Sequence, residues 1–321
     1  MIKHPLKDRR DRGIALLLVL WTVTVLMVIV FSFSSLSRTE TLSASGFREV
    51  IGNKHLAEAG LERAVIEILN HRIRQQQPAE GDWTIDNTTY RIETGSGRCA
   101  VRITEETGLI DINMLTDASG IILKNLLVMR GVSQDEADTI TDSLLDWKDS
   151  GDSDAHRLHG AESDYYRSLP VPYAAKNANF DTVEELLLVK GMTPEILFGG
   201  SGKKGIFDLL TVHSRSAKIN ISTAPKDVLA SIPGIGSGRA DEIIALRQAA
   251  TGSLDLQSVL GQDYTAASAY IMTAGSSTYT VESLGFRDNE RSGFAIKATV
   301  TFSDSSRYRY LYFKSPSRVL Q

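Results

Sequence analysis

The sequence predicts an α+β protein in which a long N-terminal helix packs on an antiparallel sheet and a large all-α insertion divides that sheet. Helical apolar periodicity runs through the N-terminal segment as far as Leu69. Strand signals follow it directly and then return only at the C-terminus, with helical patterns filling everything between. A chain of 321 residues has room for two domains, or for one domain carrying such an insertion.

The first element carries the most information. Gly13 to Ser37 is a stretch of 25 residues without a charge, containing the run IALLLVLWTVTVLMVIVF. As a helix it rises roughly 37 Å, enough to cross a hydrocarbon core of about 30 Å. Ahead of it Lys3, Lys7, Arg9, Arg10 and Arg12 outweigh Asp8 and Asp11 by +3, so the arm stays cytoplasmic and the remainder crosses. A cleaved secretory signal would have a shorter apolar region and a small-residue cleavage site, whereas this one leads into Ser32-Phe33-Ser34-Ser35-Leu36-Ser37-Arg38. Beyond the apolar run, Leu61, Val65, Ile68 and Leu69 fall on one helical stripe. Gln75-Gln76-Gln77-Pro78 closes the helix, because proline cannot continue its hydrogen-bond ladder.

Strands are expected at Trp83–Thr94 and Arg98–Thr104, joined by Gly95-Ser96-Gly97 as a turn. Tyr279–Leu284, Phe294–Phe302 and Arg307–Phe313 complete the sheet, with Val300, Phe302, Tyr308, Tyr310 and Tyr312 showing the two-residue period. Between the two groups the chain echoes itself. Ile112-Asn113 leads to a helix, Arg130-Gly131-Val132 and a second helix with Ala137 and Ile140. Ile219-Asn220 leads likewise to Ile232-Pro233-Gly234-Ile235-Gly236 and a helix with Ala240, Ile243 and Ile244. A shorter copy spans Glu184 to Met192 around Gly191. These look like helix-hairpin-helix units of the SAM-like type.

Composition narrows the function. With 42% hydrophobic and 23% charged residues the chain is an ordinary globular one, so extended disorder is excluded. A single cysteine, Cys99, excludes an intrachain disulfide framework and a Cys-rich zinc site. Net charge is −4, a poor basis for holding a polyanion. Hairpins of this type can offer backbone amides to phosphate with help from nearby cations, but Arg239 is alone in Gly234–Glu242 and is followed by Asp241 and Glu242. No nucleic-acid partner is therefore expected. No G-x-S-x-G, H-E-x-x-H or P-loop is present, and Cys99 falls in an expected strand, so the chain reads as a non-enzyme.

The most chemically loaded stretch runs from Asp146 to Asp164. Asp146, Asp149, Asp152, Asp154, Glu162 and Asp164 oppose only Lys148 and Arg157, a local charge of −4. Carboxylates crowded on a Gly/Ser loop repel one another unless a cation sits among them, and hard oxygen donors at short spacing suit calcium. The residue order is not that of an EF-hand. His156 and His159 lie nearby, but two histidines without a third ligand read as surface residues.

Arg12-Gly13 meeting Ile14-Ala15-Leu16-Leu17-Leu18 resembles the type IV pilin signal, in which a prepilin peptidase cuts after the glycine. That resemblance makes Gly13 and Ile14 the cleavage pair. The fifth residue of the processed chain is then Leu18, where most pilins and pseudopilins carry Glu. A missing glutamate joined to a large helical insertion, with the acidic loop running into Gly160-Ala161-Glu162 and Tyr165-Tyr166, resembles the K-type minor pseudopilins of type II secretion (general secretion pathway protein K). The resemblance implies a leader at 1–13, a transmembrane half-helix at 14–37, a pilin-like domain at 38–110 and 275–321, and a SAM-like insertion at 111–274. It also implies calcium in the insertion and a single-pass inner-membrane protein with its bulk in the periplasm. Leu18 becomes a marker of placement at the pseudopilus tip. The implied partners are the I- and J-type minor pseudopilins, the G-type major pseudopilin and prepilin peptidase. The alternative is a membrane-tethered helix-hairpin-helix protein that binds DNA during uptake.

Overall fold

The structure, a computed structural model, describes residues 11–74, 83–95, 97–150, 156–200, 202–249, 255–287, 292–304 and 307–317. It opens with one unbroken helix, α1 (Asp11–Ile73), of 63 residues. From Ile14 this helix has an apolar window of mean hydropathy 3.0 and is long and apolar enough to cross a membrane. The apolar run is exposed almost throughout, whereas Ala57, Leu61, Ala64, Val65 and Ile68 further along are buried. One helix thus changes environment part-way along.

The strand expected from Trp83 starts later, as β1 (Thr89–Thr94). Asp86 accepts hydrogen bonds from the Thr84 hydroxyl (2.8 Å) and from the Thr88 hydroxyl (2.6 Å) and amide (3.2 Å). Asn87 takes a left-handed φ of 69°. Such a side-chain-centred turn competes with strand pairing. Trp83 stacks on Tyr90 instead, with ring centroids 4.7 Å apart. β2 (Gly97–Glu105) pairs antiparallel with β1.

The insertion follows. β3 (Ile110–Asp111) leads to α2 (Gly120–Met129), α3 (Gln134–Lys148), α4 (Ser163–Arg167) and α5 (Pro194–Phe198). β4 (Gly199–Gly200) and β5 (Lys203–Lys204) form a short hairpin, and β6 (Leu210–Thr211) runs parallel to β3. β7 (Ile219–Asn220), α6 (Lys226–Ser231), α7 (Gly236–Ala249), α8 (Leu256–Leu260) and α9 (Tyr264–Ala267) come next, then β8 (Ile271–Met272) parallel to β7. Gly131, Gly191 and Gly234 close the three hairpins at φ 83°, 84° and 86°, a region that disfavours any residue with a Cβ. The shortest copy differs in one respect: Val183–Leu188, expected as a leucine-rich helix, winds as a 3₁₀ helix.

The chain then returns to the sheet with β9 (Thr278–Phe286), β10 (Phe294–Phe302) and β11 (Tyr308–Lys314). The strand order is β1-β2-β9-β10-β11, all antiparallel, so β2 and β9 pair from Arg98↔Phe286 to Glu105↔Tyr279 across the insertion. A register shift between Thr299 and Val300 interrupts the simple alternation expected along β11 and leaves Tyr310 exposed.

One core lies between α1 and the sheet, with Cys99, Val101, Ile103, Val281, Ala298 and Val300 facing the helix. Gly285 permits the close approach: a Cβ there would stand 2.1 Å from the Asn53 carbonyl oxygen and 2.3 Å from the Ala57 nitrogen. The opposite sheet face carries an ionic layer in which Glu282 pairs with Arg102 and with Lys297 at 3.1 Å, and Lys297 lies 5.3 Å from the Phe207 ring centroid of the insertion. A second core fills the insertion, including Leu123, Leu126, Ile140, Trp147, Tyr166 and Val228.

Candidate functional site

The acidic loop is built at the end of α3. Ser133 caps that helix reciprocally with Glu136, fixing its start, and its last turn carries Asp146, Trp147 and Lys148. Trp147 is buried edge-on against Tyr166, with centroids 5.0 Å apart, which locks α3 against α4. Lys148 points back, its Nζ donating to the carbonyl oxygens of Asn113 (2.9 Å) and Leu115. Burial lowers its pKa to about 8.

Asp146 is 2% exposed and accepts from Arg157 twice over, from Nη1 at 2.7 Å and from the backbone amide. The same guanidinium grips Asp117 bidentately, at 2.6 Å through Nε and 3.2 Å through Nη2, and stands 3.7 Å from Asp149. These contacts hold the Asp117 carboxyl below its ordinary range and raise the Arg157 guanidinium further. Glu162, at 9% exposure, precedes α4 and has no cationic partner among the described residues. Burial, followed by the charges of Asp146 and Asp149, pushes its carboxyl up. Asp164 accepts from the Tyr165 amide at 2.7 Å. Asp152 and Asp154 lie outside the described residues.

Asp146, Asp149 and Glu162 therefore share one neighbourhood, and Asp117 and Arg157 join it. Among the described residues no three His, Cys, Asp or Glu side chains are gathered into a ready metal shell. The histidines have other engagements, His156 with the Arg157 carbonyl at 2.8 Å and His159 with Asp142 at 3.3 Å. Sequence reasoning missed Asp117, which lies upstream of the loop, and could not show that Arg157 sits among the acids. It named Gly160 within the motif without its reason: a Cβ there would fall 1.7 Å from Asp146 Oδ2, so glycine leaves room for that carboxylate.

The other positions singled out lie on α1. Gly13 and Ile14 fall near its start, and Leu18 is exposed on the same helix. At the first and last hairpins the cations face carboxylates of the chain itself: Arg239 with Glu242 (2.6 Å) and Asp263 (3.2 Å), Lys226 with Asp241 (2.6 Å) and Arg130 with Asp227 (2.7 Å). Lys190 at the middle one donates to the His159 and Gly160 carbonyls. A phosphate arriving there would have to displace these pairs.

Residues 108–198 match the family model described as Type II secretion system (T2SS), protein K. Type II secretion system protein K of Pseudomonas aeruginosa is 25% identical over 74% of this chain and 73% of its own length. The protein of the same name from Pectobacterium carotovorum is 36% identical over a shorter stretch, 24% of this chain and 21% of its own. In fold, the chain is similar to one in the crystal structure of the GspK-GspI-GspJ complex from the enterotoxigenic Escherichia coli Type 2 Secretion System. The TM-score is 0.60 at 17% identity, covering 88% of this chain and 99% of the other. The four matches agree with the resemblance carried by the leader and the missing glutamate. The chain is similar to protein K in its insertion, along most of its sequence and in its fold.

Proposed function

We propose that this relative of type II secretion protein K is a minor pseudopilin that caps the tip of the periplasmic pseudopilus and helps to initiate its assembly for protein export. One observation carries the reading: an exposed membrane-length helix runs without a break into a sheet whose strands are parted by a protein K insertion. In this reading prepilin peptidase cuts between Gly13 and Ile14 and leaves the helix on the mature chain. Leu18 then offers no carboxylate to the N-terminal amine of a neighbour. A buried carboxylate in lipid is costly unless it meets a cation, so a subunit without one has no call to dock beneath another. The I- and J-type minor pseudopilins are its immediate partners and the G-type major pseudopilin lies below. The protein acts as a structural part and carries out no chemistry, anchored once in the inner membrane with its bulk in the periplasm.

Calcium belongs to the proposal. Glu162 supports it, a hard-oxygen donor that is nine-tenths buried beside Asp146 and Asp149 and has no cationic partner among the described residues. Asp152, Asp154 and Asp164 would complete the shell. When bound, the ion supplies charge that lets these groups stay ionised together.

The test is co-expression of the full chain with prepilin peptidase and tagged I- and J-type minor pseudopilins from the same source. Co-purification in detergent, with an N-terminus at Ile14, is the expected result. A chain that begins at Met1 and fails to co-purify defeats the proposal.

A further inference from the structure

We infer that Arg157 is the acidic loop's own counter-cation, holding on Asp117, Asp146 and Asp149 the place that a metal ion would otherwise have to fill. The inference rests on the calcium reading above for the kind of ion involved, and its argument is geometric. One guanidinium reaches three carboxylates from two separate segments: the turn before α2, which supplies Asp117, and the end of α3, which supplies Asp146 and Asp149. The Arg157 amide also donates to both Asp146 oxygens, at 3.3 and 3.1 Å, so backbone and side chain fix the same buried carboxylate. A planar fork suits this arrangement, because two carboxylates can be bridged at once, one of them bidentately.

Among the described acids of the loop, Arg157 leaves out Glu162 and Asp164, neither of which pairs with the guanidinium, and Glu162 is buried. The loop is therefore divided into a part already neutralised by the chain and a part left for an added ion. Without Arg157, Asp146 would be a buried charge lacking its partner, a strongly destabilising state. Only then does a divalent cation become the means of holding the turn before α2 against α3. The calcium demand of this protein is set by one side chain.

The experiment melts the full chain in mild detergent with EDTA, with magnesium and with calcium, followed by near-ultraviolet dichroism of the Trp147–Tyr166 pair. Wild type, Arg157→Gln and Arg157→Lys are compared. In EDTA the Arg157→Gln midpoint should fall by roughly 5–10 °C, on the scale expected for loss of a buried charge partner in a domain of this size. Calcium should return most of that loss, a larger gain than in wild type, and magnesium should return less. Arg157→Lys, which keeps the charge but loses the fork, should fall between wild type and Arg157→Gln in its response to calcium. A glutamine variant that does not fold in EDTA but regains the aromatic signal in calcium supports the inference equally. Equal calcium shifts in wild type and Arg157→Gln overturn it while leaving the calcium reading intact. A shift confined to Arg157→Gln upholds it and removes calcium from the wild-type protein. No calcium response in the glutamine variant overturns it outright.

Discussion

Gly285→Ala should lift α1 from the sheet, and the structure shows by how much. The new methyl would stand 2.1 Å from the Asn53 oxygen and 2.3 Å from the Ala57 nitrogen, two groups of one helical turn, with the Leu56 carbonyl carbon at 2.8 Å. None of these is the end of a flexible side chain. Ordinary contact needs about 3.2–3.4 Å, so helix and strand must separate by roughly 1 Å. A gap of that size forfeits a quarter to a half of the dispersion energy at each affected contact, and overpacking of this kind costs about 1–3 kcal/mol. At the upper figure the midpoint falls by roughly 6–12 °C for a domain of this size. The chain supplies its own probe. Cys99 is its single cysteine, 1% exposed on the sheet face beneath α1, and burial pushes its thiol pKa up. Labelling with an aromatic disulfide reagent should accelerate about 100-fold, since each 1.4 kcal/mol of easier opening is a factor of ten. Cys99 reactivity within twofold of wild type, with an unshifted midpoint, would refute the account of helix-on-sheet packing.

Two further outcomes are expected. Glu106 is fully buried, accepts from the Thr211 hydroxyl, and has its pKa raised by that burial, with Lys297 opposing the shift and Asp111 adding to it. A raised carboxyl contributes stability that is complete below its ordinary value of 4.5 and is lost as pH rises through the folded value. Glu106→Gln should therefore flatten that part of the pH–stability curve and raise the melting midpoint at pH 8, and an unchanged slope in melts from pH 5 to 8 would count against it. Gly191→Ala, at φ 84° and with a Cβ 3.0 Å from Ile140, should lose about 1–2 kcal/mol or more. Gly238→Ala, in open space within α7, should gain about 0.5–1 kcal/mol, and chemical denaturation that ranks the two the other way would refute the hairpin argument.

What was legible in the sequence was local. Leu61, Val65 and Ile68 declared their helical stripe, the five strands declared themselves by composition, and the hairpin glycines by repetition. Trp83–Thr88 misled because its β-forming residues surround Asp86, whose carboxylate gathers a turn that no propensity registers. The small residues of α1 carried no signal: Ala57, for one, acquires meaning only when Gly285 arrives from the far side of the insertion. For the same reason the acids from Asp146 to Asp164 were visible as a run, while Asp117, distant in sequence and joined through Arg157, was not.

The least legible part is the neck between sheet and insertion, written as Glu105-Glu106-Thr107-Gly108-Leu109-Ile110-Asp111. As a sequence it lies just past the expected strand Arg98–Thr104. In the fold, one Glu105 oxygen accepts from Thr107 at the start of the insertion, from Asn220 in its middle (2.9 Å) and from the Ser276 amide just before β9 (2.9 Å). Glu106 takes the Thr211 hydroxyl, and Asp111 takes Ser214 at 2.9 Å and the Arg215 amide at 2.8 Å. Glu105 thus collects donors from three separate segments, and Glu106 and Asp111 take theirs from the one segment Thr211–Arg215, while β3–β6 and β7–β8 pair beside them. An insertion entering through one peptide segment and leaving through another would be free to swing if apolar contact alone held it, because such contact has no direction. Buried carboxylates that accept several hydrogen bonds do have direction, and an unmade bond there is costly. The acids at the neck therefore orient the insertion relative to the sheet, a task distinct from that of the acids of the loop, although both are written in the same two residue types.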